Sequence, residues 1–217
     1  MRAVYHAFAG LILLAMMVGP VKAAELTLEI TDGNHQPVAD AVIVLTPEKL
    51  DRTAVGPLPQ RQVVDQRKEA FIPHVLIAPK GGQVVFTNSD TTRHHVYSFS
   101  PAKAFELVVV PGGSSGPLIF DRLGVVAVGC NIHDRMVAYI YVTDQPFAML
   151  TDKAGRVSFP GLPEGAYQAR LWHSRLRPGR PEPTETVTLS TGRATVAISL
   201  DLMPDQGHRR DRERMKY

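Results

Sequence analysis

The chain has 217 residues, 44% of them hydrophobic, with a formal net charge of +3 and one cysteine. That composition is ordinary for a globular protein and excludes a disordered or low-complexity chain, and the length allows one large domain or two small ones. A single cysteine excludes an internal disulfide and a cysteine-rich zinc module.

The charge is unevenly placed. Met1-Arg2 precedes an apolar run from Ala7 to Val18, and then come Gly19-Pro20-Val21-Lys22-Ala23-Ala24, with small residues where a signal peptidase cuts. This is the pattern of a secretory signal peptide over residues 1–23. The apolar run falls short of the roughly 20 residues that cross a bilayer, so the expectation is cleavage, export to a periplasm, and no stable membrane insertion afterwards. At the other end, residues 203–217 read as a solvated, disordered basic tail. Without Arg2, Lys22 and the stretch from Gly207 to Tyr217, the body holds 17 bases against 19 acids. It offers no basic surface for nucleic acid.

In chain order, Leu26-Thr27-Leu28-Glu29-Ile30 alternates as a half-buried strand does and breaks at Thr31-Asp32-Gly33-Asn34. Ala41 to Leu45 is a second strand, and residues 47–59, with prolines at 47, 57 and 59, read as a linker. From residue 60 the texture becomes a run of short strands: Val63-Val64, Val75 to Ala78, Gln83 to Phe86, Val96 to Phe99, Phe105 to Val110, Leu118 to Phe120, Val125 to Val128 and Val137 to Val142. Beyond Thr143, Leu150 to Phe159 reads as strand, turn and strand, and further strands cover Gln168 to Trp172, Thr186 to Leu189 and Ala194 to Leu200. No segment has a helical period. The fold class expected is all-β, built from sandwiches.

The chemistry is concentrated in Gly129-Cys130-Asn131-Ile132-His133-Asp134-Arg135-Met136. A thiol, an imidazole and a thioether share seven positions, at the end of a strongly β-forming run. With a second imidazole from elsewhere, this is the His₂Cys set with a weak methionine that suits copper in electron transfer. Cys130 has no partner for a disulfide, and an odd cysteine in an exported protein needs a reason. The alternative is a free thiol packed as a small hydrophobe. The second imidazole is expected from Phe86-Thr87-Asn88-Ser89-Asp90-Thr91-Thr92-Arg93-His94-His95-Val96, where a strand ends and another restarts after two histidines. Adjacent strand residues point to opposite faces, so one of His94 and His95 reaches the metal, and the residues alone leave both open. His74, His173, His35 and His208 read as strand-edge, packing or surface, turn and tail residues.

Phe71-Ile72-Pro73, Gly81-Gly82, the Asn88 strand, the paired histidines and Cys130-x-x-His133-x-x-Met136 together resemble the cupredoxin family across residues 60–142. The two-residue gap before the methionine is most similar to amicyanin. This resemblance implies a Greek-key β-sandwich over 60–143 holding one type 1 copper on His94, Cys130, His133 and Met136. It selects His94 because the family's first histidine falls six positions after the strand asparagine. Around these ligands it implies supporting places for Asn88, His95, Asn131 and Ile132, with a main-chain amide at position 95 donating to the sulfur. Ile132 stands where the family has proline, so it has a further N–H to offer the sulfur. Asp134 and Arg135 replace the apolar residues of the short loop.

Gln36-Pro37-Val38-Ala39-Asp40-Ala41-Val42, Asp152-x-x-Gly155-x-x-x-Phe159 and Leu162-Pro163-Glu164-Gly165-Ala166-Tyr167 resemble the prealbumin-type, carboxypeptidase regulatory-like sandwich, a carbohydrate-binding-like fold. That implies a second sandwich from residues 25–46 and 144–202, with the copper domain inserted. The whole chain is similar to exported methylamine-utilisation-type proteins that join two such modules. The implied function is electron transport between redox proteins such as a c-type cytochrome and a periplasmic dehydrogenase. The competing reading is copper binding, delivery or sensing without redox turnover. An enzyme is not expected, since Asn131 follows Cys130 where a multicopper site would have histidine, and no second cysteine exists for a dinuclear centre.

Overall fold

The structure, a computed structural model, describes residues 24–49, 58–133 and 135–205. The signal-peptide reading, most of the linker, Asp134 and nearly all of the basic tail lie outside them. The protein is all-β, with sixteen strands and no helix among the described residues.

Strands β1 (Ala24–Asp32) and β2 (Val42–Pro47) open the chain; β12 (Phe147–Leu150), β13 (Arg156–Leu162), β14 (Gly165–Trp172), β15 (Thr184–Leu189) and β16 (Arg193–Leu200) close it. They form two sheets, of order β13-β1-β16 and β12-β2-β14-β15. One core lies among them, with Leu26, Leu28, Ile30, Ile43, Leu45, Tyr167 and Leu171 fully buried. The period-2 alternation of β1 explains its burial, because its apolar residues all face this core.

Between β2 and β12 run β3 (Arg61–Gln66), β4 (Phe71–Ile72), β5 (Val75–Pro79), β6 (Gly82–Asn88), β7 (His94–Ser100), β8 (Lys103–Val109), β9 (Leu118–Phe120), β10 (Gly124–Cys130) and β11 (Val137–Thr143). They make a five-stranded sheet, β5-β11-β10-β7-β8, and a four-stranded sheet, β4-β3-β6-β9. Their own core contains Phe86, Val96, Phe120, Val126, Ile140, Cys130 and Met136. The two cores are joined by a third cluster of Val42, Val44, Val75, Tyr141, Ala148 and Trp172. Strand β2 is therefore buried on both faces, Ile43 and Leu45 inward and Val42 and Val44 toward the five-stranded sheet. An unbroken apolar run such as Ala41 to Leu45 is what such a strand requires.

Several expected boundaries move. Pro47 belongs to β2, not to the linker; β4 and the first residues of β12 are strands where none was expected; and β8 begins two residues earlier. The strand expected to restart after the paired histidines starts at His94 and contains both. Pairing with β8, His94 to Val109 and His95 to Val108, draws them into the sheet.

Candidate metal centre

Strands β7 and β10 are antiparallel neighbours, with Cys130 opposite Val96 and Gly129 opposite Tyr97. The first residue of β7 and the last of β10 thus meet at one end of the sheet. His94 is 0% exposed and Cys130 4%, and His94 Nδ1 lies 3.7 Å from Cys130 Sγ. The loop after Cys130 folds back on itself: the Met136 amide donates to the His133 carbonyl at 3.0 Å, and the Cys130 amide to the Met136 carbonyl at 3.2 Å. This closure brings His133 over His94, ring centroids 5.1 Å apart. Ligand atoms of His94, Cys130 and His133 all lie within 4.8 Å of one another, a group that could hold a metal ion. Met136 is buried in the same core cluster as Cys130.

The orientation of each ring follows from what its outer nitrogen meets. His94 Nε2 is 2.9 Å from Asp90 Oδ2. Burial pushes the Asp90 carboxyl upward, but the backbone amides of Glu69 and Lys68, and then His94, outweigh it and hold the group below the usual carboxylate range. An ionised carboxylate only accepts hydrogen bonds, so the His94 proton belongs on Nε2 and the bare Nδ1 faces sulfur. His133 Nε2 lies 3.6 Å from Glu69 Oε1, and its Nδ1 is buried with no hydrogen-bond partner. An unpartnered buried nitrogen costs roughly 1–3 kcal/mol. A metal ion facing sulfur and two imidazole nitrogens would satisfy it, so the donor set fits a bound metal.

Of the residues expected to support the ligands, Asn88 holds the loop before His94, whereas the side chains of His95 and Ile132 point away from the metal group. Asn88 donates through Nδ2 to the carbonyls of Thr92, at 2.8 Å, and Val109, at 2.9 Å, and accepts the Asp90 amide at 2.9 Å. It therefore bolts the loop before His94 to β8, which gives the six-residue spacing a physical cause. His95 points to the other face, where it pairs with Glu106 at 2.6 Å. Its main chain contributes a carbonyl, which takes the Asn131 amide at 2.9 Å. Ile132 projects outward, 49% exposed. His74 packs edge-on against Tyr139 and contacts the Val137 carbonyl, and His173 is buried in the β14 region. Neither belongs to the metal group.

Two residues that bear on the site were not expected, Asp90 and Glu69. Asp90 stands four positions before His94, a spacing that could have flagged it. Glu69 gave no such signal. It lies at the tip of the β3–β4 hairpin, where Lys68 and Glu69 have φ of 55° and 54°. Two adjacent left-handed residues suit Asn-Gly and cost residues with a Cβ roughly 1–2 kcal/mol each. The Asp90 carboxylate accepts both of their amides, and hydrogen bonds to a charged group, roughly 1.5–3 kcal/mol each, are strong enough to offset that cost.

No protein-family model matches the chain, and no curated relative does. Among solved structures the chain is similar to a purple cupredoxin from Nitrosopumilus maritimus, at 21% identity over 38% of this chain and 99% of the other, with a TM-score of 0.34. It is similar to a copper-containing nitrite reductase from Thermus scotoductus SA-01, at 25% identity over 45% of this chain and 25% of the other, with a TM-score of 0.34. A reduced Cu(I) form of an amicyanin variant at pH 4 matches at 19% identity over 46% of this chain and 98% of the other, with a TM-score of 0.36. Each of these matches covers less than half of the chain.

Proposed function

We propose that this chain is an exported, periplasmic one-electron carrier holding a single type 1 copper. In this reading a cupredoxin-type domain of residues 60–143 is inserted in a regulatory-like sandwich of residues 25–46 and 144–202. The observation that supports it most is the buried, unpartnered Nδ1 of His133, in a group whose sulfur and nitrogen atoms converge within 4.8 Å. Cys130 supplies a soft thiolate, His94 and His133 supply imidazole nitrogens, and Met136 supplies a weak thioether, a set that favours copper over zinc. Copper, when bound, supplies a one-electron couple.

The chain's own residues do the rest. His94, Cys130 and Met136 are themselves buried, so water has little access to three of the four ligands. His133, with a side chain 22% exposed, offers its edge to a redox partner such as a c-type cytochrome or a periplasmic dehydrogenase. Absorption and paramagnetic-resonance spectra after adding Cu(II) to the mature protein test this reading. The expected result is one copper per chain and a blue copper–thiolate band that Cys130→Ala abolishes. A colourless protein that prefers zinc would overturn it.

A further inference from the structure

The β3–β4 hairpin turns through Arg67 to Ala70, whose main chains bond in both directions, at 2.9 and 3.2 Å. Its tip residues are left-handed without being glycine or asparagine. Local strain of that kind persists where surrounding contacts hold it, and it gathers at functional sites. Here one carboxylate does the holding. Asp90 Oδ1 accepts the Lys68 amide, and Oδ2 accepts the Glu69 amide at 3.0 Å and faces His94 Nε2 at 2.9 Å. The same turn swings the Glu69 side chain to the other ligand, 3.6 Å from His133 Nε2. That distance is too long for a direct hydrogen bond but short for a charge. Each outer nitrogen of the two imidazoles thus faces a carboxylate, and the two carboxylates are fastened to each other through the turn.

We propose that Asp90 and the Lys68–Glu69 turn form one positioning device, which holds a negative charge at the solvent edge of His133 and biases the site toward its oxidised state. The proposal rests on the copper reading above. A fixed negative charge beside a ligand favours the more positive metal, so removing it favours reduction. The Glu69 side chain is 63% exposed, so water and salt weaken the effect. A threefold to tenfold change in the ratio of reduced to oxidised protein is expected, tenfold being about 59 mV for one electron.

Redox titration of the copper-loaded mature protein provides the test, with Glu69→Gln, Glu69→Lys, Glu69→Asp, Asp90→Asn and the Glu69→Gln/Asp90→Asn pair. Glu69→Gln is expected to raise the reduced fraction threefold to tenfold at fixed ambient potential, and Glu69→Lys to raise it further. Glu69→Asp should fall between wild type and Glu69→Gln, and added salt should shrink every one of these differences. In the Asp90→Asn background, Glu69→Gln should have little further effect, because the turn no longer holds the side chain in place. Charge variants that leave the ratio unchanged, or single effects that simply add in the pair, would overturn the device.

Nitrogen NMR of the imidazoles in the metal-free protein gives a readout independent of copper. The wild-type His133 proton is expected on Nε2, with Glu69→Gln and Asp90→Asn each moving part of it to Nδ1. A wild type that takes no copper overturns the electron-carrier reading alone, whereas a His133 proton indifferent to both carboxylates overturns the device.

Discussion

Lowering the pH from 7 toward 4 is expected to cost stability through His173, and the size of the loss follows from its surroundings. His173 comes directly after β14, beside Trp172 of the cluster that joins the two cores. It is 8% exposed, and its Nδ1 accepts the Arg175 amide at 3.2 Å. Burial lowers its pKa most, the Arg175 charge adds to this and His74 adds a little more. The Ala39 backbone and Asp40 oppose them, and the balance lies at about 4 against an ordinary 6.5. Between those values the unfolded chain carries the proton and the folded one does not. The stabilisation is therefore fully present above pH 6.5 and is lost as the pH falls toward 4. At about 1.36 kcal/mol per pKa unit, the neutral, buried ring contributes roughly 3 kcal/mol at pH 7.

The variant that isolates this term is His173→Gln, which cannot titrate. Thermal unfolding of wild type and variant at intervals from pH 7.5 to pH 4.5 is the assay, at roughly 2–4 °C per kcal/mol for a chain of this size. The variant is expected to be less stable at pH 7 and to lose less on acidification, so that the gap narrows. Asp32, Asp65 and Asp90 are held below the usual carboxylate range and also lose stabilising charge in acid, but at lower pH, and they are common to both proteins. Parallel curves over the whole range would refute the assignment.

Three further substitutions probe the site and the fold. His94→Ala is expected to abolish the copper spectrum, whereas His95→Ala, which breaks an exposed pair with Glu106, should keep it and change stability by less than about 1 kcal/mol; spectra and melting curves of both decide, and the reverse pattern would reassign the ligand. Gly155→Ala should destabilise the protein by roughly 2–5 kcal/mol in urea titration, because φ is 72° and the new Cβ would lie 2.4 Å from the Ile30 carbonyl oxygen.

The all-β class was legible because strand alternation and turn residues are local signals. Leu26 to Ile30 alternates and is buried on alternate positions, and Leu118–Phe120 matches its expected span. The convergence of His94, Cys130 and His133 was legible for a different reason. Three of the four expected ligands share one seven-residue stretch, Cys130 to Met136, and the choice of His94 as the fourth came from the family resemblance, whose offset from Asn88 coincides here with the Asn88 hydrogen bonds to Thr92 and Val109. What escaped depends on contacts between distant segments. Strand β4 is two residues long and exists by pairing with Asp65 and Gln66. The Lys68–Glu69 turn violates the local preference for Asn-Gly, and only the position of Asp90, about twenty residues on, makes it tenable.

The division of labour between the two central sheets explains why the hidden part matters. His94 and Cys130 lie on the five-stranded sheet, and His133 and Met136 on the loop between its strands β10 and β11. Glu69 comes from the β3–β4 hairpin of the four-stranded sheet, and Asp90 from the connection between the sheets, just after β6. The inner faces of the rings are therefore set by one sheet, and their outer nitrogens are met by groups anchored to the other. Packing of Phe86, Phe120, Val96 and Ile140 between the sheets fixes the distance across which these two sets meet. A core substitution that shifts one sheet against the other, far from any ligand, would move Asp90 and Glu69 relative to His94 and His133. It would disturb the imidazoles before it disturbed the loop from Cys130 to Met136, which is closed by its own backbone hydrogen bonds.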